Sequence, residues 1–187
     1  WRDRPTLGRD LLKAKIESQT PDLVRPRREL WISPTIEDLY EFEKRYMQDV
    51  RLLAADIETD YLRSKQILCV GFSPTPFLGI TVPFIDHSIP GWSYWKTIEE
   101  EVAAWEWCER HLKNPAITKL GQNFTYDMQY LDRRGGIKVR GKIEDTMLMH
   151  HALQPELEKS LAYMSSIYTN ESAWKQSYDH KTGKANG

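Results

Sequence analysis

Asp56 and Glu58 stand two residues apart at the end of the apolar run Leu52-Leu53-Ala54-Ala55. A strand alternates its side chains between faces, so this spacing puts both carboxylates on one side. Carboxylates crowded together repel unless a cation lies between them. A divalent-metal site at the mouth of a core strand therefore accounts for the pair, and the residues before it are apolar enough to lie fully inside. The plainer alternative is a strand running out into solvent, where Asp and Glu are common. Further along, Asn123 and Asp127 are four apart at the start of a helical pattern, which predicts one shared helix face. A carboxylate in a first turn is also favoured by the helix dipole. Taken singly, Asn123 reads as an N-cap and Asp127 as a surface acid.

The elements that must position these groups follow from periodicity. Residues 117–120 read as a strand, broken by Gly121-Gln122-Asn123. Phe124 to Arg133 reads as a helix with Phe124, Met128 and Leu131 at core spacing. Upstream, Gln66 to Ser73 and Leu78 to Ile85 are strand-like about a turn at Ser73-Pro74-Thr75-Pro76, predicting an antiparallel meander with the Asp56 strand. Pro83 places the third strand at an edge. Residues 86–95 form a loop in which Trp92 and Trp95 read as packing residues. Lys96 to Lys113 is an amphipathic helix with Ile98, Val102, Trp105 and Leu112 inward. A fifth strand is expected near Ile137 to Ile143. No internal repeat or low-complexity tract is present.

Together these segments resemble the 3′–5′ exonuclease domains of the DEDD superfamily, and most closely the proofreading domain of family A DNA polymerases. Asp56-Ile57-Glu58-Thr59-Asp60 is similar to the first exonuclease motif, and Gly121-Gln122-Asn123-Phe124-Thr125-Tyr126-Asp127 to the second. Val70-Gly71-Phe72-Ser73 and Ile80 to Ile85 are similar to the hairpin after the first motif. Glu144-Asp145-Thr146-Met147-Leu148 and Ser160-Leu161-Ala162 are similar to the family's "DTM" and "SLA" elements. The likeness covers roughly residues 50 to 170. It implies an RNase H-like α/β fold, with a mixed five-stranded sheet whose first three strands are antiparallel. The predicted element order is that of such a fold.

The resemblance also implies two-metal-ion phosphodiester hydrolysis at the 3′ end of DNA, with two Mg²⁺ or Mn²⁺ ions as cofactors. By resemblance, Asp56 bridges the two metals, Glu58 holds the nucleophile-side ion and orients its water, and Asp127 serves the second ion. Thr59 and Leu62 match residues that contact the terminal nucleotide, while Gln122, Asn123 and Tyr126 match residues lining the single-stranded path. Such stacking and backbone contacts bind any sequence. A non-catalytic DNA-binding domain of the same fold and a ribonuclease D-like RNA exonuclease are the alternatives. The implied partners are a single-stranded or frayed 3′ DNA end and a polymerase domain following in the parent protein.

One departure stands out. The family's third motif, Tyr-x-x-x-Asp or His-x-x-x-Asp, is not found. Tyr163 is followed four later by Ile167, Tyr168 by Ser172 and Tyr178 by Thr182. His150 leads to Gln154, His151 to Pro155 and His180 to Lys184. Truncation is the reading preferred over evolved loss, and a truncated chain is expected to bind metal poorly and hydrolyse little.

Composition constrains less. The 187 residues carry 26 Lys and Arg against 27 Asp and Glu, so no bulk basic charge marks a nucleic-acid binder. Bound metals would supply local positive charge instead. Two isolated cysteines, Cys69 and Cys108, fit a reducing compartment, and no apolar run approaches the ~20 residues of a membrane span. The expected location is the cytoplasm of a bacterium or phage-infected host, without secretion. Trp1 to Glu17 reads as a helix bearing Leu7, Leu11, Leu12 and Ile16, and Trp1 to Lys15 resembles the closing helix of a uracil-DNA glycosylase-like domain. Residues 18–34 read as a linker, so that residues 1–34 precede an exonuclease domain over 35–187. Thr35 caps a helix to Met47, with Asp38 in capping-box position and Leu39, Phe42 and Tyr46 inward.

Overall fold

Alternating small and apolar side chains at Leu53, Ala55 and Ile57 drive one face of β2 (Leu52–Thr59) into the core of the computed structural model. The structure describes residues 4–20, 27–60, 66–169, 178–179 and 184–185. The opposite face of β2 is open: Leu52, Asp56 and Glu58 are exposed. The strand is thus buried on one side only, and the expectation that it lies fully inside is corrected. It is nevertheless central in its sheet, flanked on both edges.

Two units make up the chain, residues 27–149 and residues 1–26 with 150–187. The larger holds a six-stranded sheet in the order β1-β4-β3-β2-β5-β6. β3 (Ile67–Thr75) and β4 (Leu78–Pro83) form the expected meander with β2, antiparallel throughout. β5 (Thr118–Gly121) and β6 (Ile143–Asp145) add parallel strands on the other side. The sixth strand is β1 (Glu29–Trp31), parallel to Leu78–Ile80 of β4. It arises inside the predicted linker, where Glu29-Leu30-Trp31 is too short to show a period. β4 is therefore covered along its first half rather than being an edge, and Pro83 follows that paired stretch. Strand β6 is shorter and later than the expected 137–143, because Gly141 turns the chain first. Its φ of 88° is left-handed, and a Cβ there would meet the Pro115 carbonyl at 2.8 Å.

Helix α2 (Ile36–Tyr46) starts on the expected capping box, Thr35 and Asp38 each bonding the other's backbone amide. Leu39 and Phe42 are fully buried and Tyr46 packs against the core. Helix α3 (Ile98–Lys113) buries Leu112 and packs Trp105 against the core as its pattern predicts, but its deepest face is shifted. Ala104, Trp107, Cys108 and His111 are buried with Leu112, whereas Ile98 and Val102 are exposed. Two apolar stripes compete on this helix, and the one carrying Trp107 and Cys108 buries against Phe72 of β3. α4 (Phe124–Gly135) and α5 (Thr146–Leu153) follow β5 and β6.

The smaller unit holds α1 (Arg4–Glu17), α6 (Leu161–Tyr168) and the two-residue strands β7 (Tyr178–Asp179) and β8 (Lys184–Ala185). Lys13 Nζ donates to the Thr169 carbonyl at 2.9 Å, and His150 Nδ1 lies 2.9 Å from the Tyr168 hydroxyl. The helix over Leu7, Leu11, Leu12 and Ile16 forms, but these side chains remain more than half exposed. Among the described residues, no helix is long and apolar enough to cross a membrane.

Lys119 decides how β5 is anchored. Its side chain is fully buried, and its ammonium donates to the carbonyls of Asn114, Ile117 at 3.0 Å and Arg140 at 2.8 Å. Desolvation pulls its pKa below the ordinary lysine value. A buried charge is tolerable only when its donors are satisfied, and three carbonyls satisfy them here. Lys119→Met, of similar length without the donors, leaves those carbonyls orphaned. We expect a loss on the order of 2–3 kcal/mol, read as a lower urea midpoint at unchanged slope.

Candidate active site

The site gathers where β2 outruns its parallel neighbour. β5 pairs with β2 only over Leu52–Ala54 and then ends, two residues short of Asp56. Beyond that point α4, which follows β5 directly, lies against the strand. Asp127, in the first turn of α4, is 4 % exposed although it is a carboxylate. The Ile57 amide and its own backbone amide hydrogen-bond to it. The opposing influences are larger: burial first, then the negative charges of Asp56 and Asp145, push its pKa up to about 7. Asp56 and Glu58 share the exposed face of β2, opposite Gly71 and Cys69 of β3, and a register shift follows Glu58. Their two charges, with burial the larger cause, raise the Cys69 thiol.

The structure thus brings Asp127 within electrostatic reach of Asp56, with Glu58 on the same strand face. It does not close them into a tight cluster. Among the described residues, no three His, Cys, Asp or Glu side chains stand near enough to hold one metal ion. The donor set is carboxylate oxygen, the type that hard ions such as Mg²⁺ and Mn²⁺ select. A cation beside Asp56 would also relieve the repulsion that favours the protonated form of Asp127. The residues present therefore fit divalent ions.

Of the other predicted contacts, Thr59 and Tyr126 meet: Thr59 Oγ1 lies 3.3 Å from the Tyr126 hydroxyl. The Tyr126 ring is exposed and packs on Tyr130, centroids 4.6 Å apart. Gln122 is half-buried and accepts a hydrogen bond from the Thr146 hydroxyl. Leu62 lies outside the described residues. Asn123 and Asp127 do not share a helix face. Asn123 is at the N-cap with left-handed backbone, φ 55° and ψ 40°, exposed and making no side-chain cap bond.

The cap comes from elsewhere. The carboxylate of Asp145, at the end of β6, accepts the Asn123 amide at 3.1 Å and the Phe124 amide at 2.7 Å. It also accepts the Met147 amide at 2.8 Å and the Leu148 amide at 3.4 Å at the start of α5. One buried acid therefore caps two helix starts. Sequence reading left Asp145 without a role; its place just before an apolar helical run was the available capping signal. Gly121 completes the corner, since a Cβ there would meet the Phe124 side chain at 2.4 to 2.7 Å.

A mixed sheet with carboxylates at the end of its central strand and at a helix start defines an RNase H-like nuclease core. The chain belongs to the 3′–5′ exonuclease family, whose model matches residues 32–186. That family generally uses divalent metal ions. No curated protein matches the sequence. Solved structures with this fold include the catalytic core of RRP6 from Trypanosoma brucei, at TM-score 0.59 and 18% identity over 88% of this chain and 40% of that one. Brucella melitensis NrnC bound to pGG matches at TM-score 0.56 and 18% identity, covering 82% of this chain and 66% of the other. Trypanosoma brucei RNase D in complex with RNA U12 matches at 0.55 and 18%, over 74% and 46%. The chain spans less than half the length of that RNase D.

Two measurements follow. The Asp127 carboxyl ionises more readily in the unfolded chain, whose value is near 3.8, than in the fold, near 7. Its contribution to stability is therefore complete below pH 3.8 and is lost as pH rises to 7. Asp127→Asn should be more stable than the native protein at pH 8, by on the order of 1–3 kcal/mol, with the advantage vanishing toward pH 4. Melting curves of both proteins across that range check it. Asp145→Ala removes the acceptor for four amides and should cost about 2–4 kcal/mol, measured by chemical denaturation.

Proposed function

We propose that this chain is a metal-dependent 3′–5′ exodeoxyribonuclease domain, of the proofreading type that accompanies family A DNA polymerases. The observation that carries the reading is a buried Asp127 within electrostatic reach of Asp56 at the end of β2, whose exposed face also carries Glu58. Two divalent ions, when bound, supply an activated water and neutralise charge on the attacking and leaving oxygens. Asp56, Glu58 and Asp127 are the residues that would hold them, and Glu58, on the open face, would orient the attacking water. Asp127 must be ionised to serve, so ion binding and hydrolysis weaken as pH falls through about 7.

Thr59 contacts the terminal nucleotide of a single-stranded or frayed 3′ end, and Tyr126, whose hydroxyl meets that of Thr59, lines the single-stranded path with Gln122 and Asn123. The partner is a polymerase domain in the parent protein, and the setting is the cytoplasm of a bacterium or phage-infected host, which suits two free cysteines. A second reading is an RNA exonuclease, supported by the fold shared with an RNase D that was solved with RNA U12.

The test is a 5′-labelled DNA oligonucleotide and its RNA counterpart, incubated with residues 1–187 in Mn²⁺ at pH 8. Shortening is expected to be slow, because no Tyr-x-x-x-Asp or His-x-x-x-Asp supplies the family's fourth carboxylate. A ladder receding from the 3′ end of DNA, abolished by EDTA and reduced at least 100-fold in Asp56→Ala and Glu58→Ala, supports the proposal. Faster loss of the RNA shifts it to the second reading. Oligonucleotide binding with no shortening under any metal would leave a binding domain only.

A further inference from the structure

A groove of about 870 Å³ is lined by Gln66, Trp92, Trp105 and Arg134 among others. Its floor is aromatic: Trp105 of α3 stacks on Phe84 with centroids 3.6 Å apart and planes 13° from parallel. Its rim is Trp92, which is 44 % exposed and therefore not the packing residue its sequence context predicts. The buried tryptophan of that loop is Trp95.

Trp92 is held in an unusual way. Gly91 and Trp92 are consecutive left-handed residues, φ 86° and 63°. For a bulky side chain that conformation is strained, and such strain persists only where surrounding contacts impose it. Here the Trp92 carbonyl accepts the Asp86 amide at 2.8 Å, and its own amide donates to Ile89 at 3.0 Å. The His87 ring meets the indole edge-on at 5.0 Å, and His87 lies 3.5 Å from Asp60. Asp60 follows Thr59 in the chain. The exposed indole is thereby tied to the same strand end that carries Asp56 and Glu58.

Helix α4 links the two places along a second line. Tyr126, Tyr130 and Arg134 recur every fourth residue, forming one stripe that advances about 12 Å along the axis. The stripe starts where Tyr126 meets Thr59 and ends at Arg134 in the groove wall. An aromatic stripe ending in a cation at an aromatic cleft suits a chain of stacked bases with an anionic backbone. Glu101 also lines the groove, so stacking rather than bulk positive charge is what it offers.

We propose that this groove is a subsite for the nucleotides upstream of the 3′ end, in which a base of single-stranded nucleic acid stacks on Trp92 above Trp105 and Arg134 meets the adjoining phosphate. The proposal rests on the nuclease reading for the direction of the strand, and not for binding itself. The experiment uses fluorescein-labelled oligothymidylate and oligouridylate in EDTA, at lengths of two and about twelve nucleotides, followed by anisotropy. Trp92→Ala should weaken binding of the longer oligonucleotides about tenfold, and Arg134→Ala severalfold, while dinucleotide binding stays within twofold. Trp92→Tyr should restore most of the loss, which a purely structural role in the loop would not allow. Equal affinity of Trp92→Ala and native protein for the longer oligonucleotides overturns the proposal, as does an equal loss at both lengths. Binding that depends on Trp92 in a protein with no Mn²⁺-dependent shortening supports the groove and removes the nuclease reading alone.

Discussion

One carboxylate, Asp145, joins the starts of two helices, and the candidate site depends on that bond set. Helix starts leave amides without partners, and burying them uncapped is costly. By accepting amides from residues 123, 124, 147 and 148, Asp145 fixes α4 to the end of β6. With α4 fixed, the first-turn Asp127 is carried to the side of β2 that β5 has vacated. Lys119 anchors the other end of β5 through three carbonyls, and Gly121 leaves room for Phe124 at the corner. The position of Asp127 is thus set by three residues, Asp145, Lys119 and Gly121, that take no part in the chemistry proposed for it.

The electrostatics of that placement run against stability and toward function. Asp127 is buried with two like charges near it, and its carboxyl holds its proton to about neutral pH. A fold gains nothing from such an arrangement by itself; a bound cation reverses its sign. The same residues that destabilise one another without a cation are the residues that hard divalent ions select. Glu58 joins the proposed set through its exposed strand face, where a water or a phosphate also has access.

The fold is shared with RRP6, NrnC and RNase D at sequence identities near 18%. Sheet and helices deliver the carboxylates; the substrate is chosen by what surrounds them. In the site proposed for this chain those surroundings are Thr59, the tyrosines of α4 and the Trp92 groove, in which the Tyr126 and Trp92 rings are exposed. That fits a chain whose net charge is only −1.

The sequence by itself determined the strand-helix order from α2 onward, the meander about β2 and the capping box at Thr35, because each is written in local periodicity or spacing; the two acidic motifs were legible only through their resemblance to the exonuclease family. It could not show that Asn123 leaves the helix face of Asp127, since its cap is supplied by Asp145, more than 20 residues away. It could not choose between two stripes on α3, because both are apolar and only contact with Phe72 selects one. It could not reveal β1, three residues long and paired with a strand some fifty positions on. Nor could it separate Trp92 from Trp95, which share one loop and one residue type. Tertiary structure decided each of these for the same reason: the deciding partner is distant along the chain, and its effect appears only when packing brings it within reach.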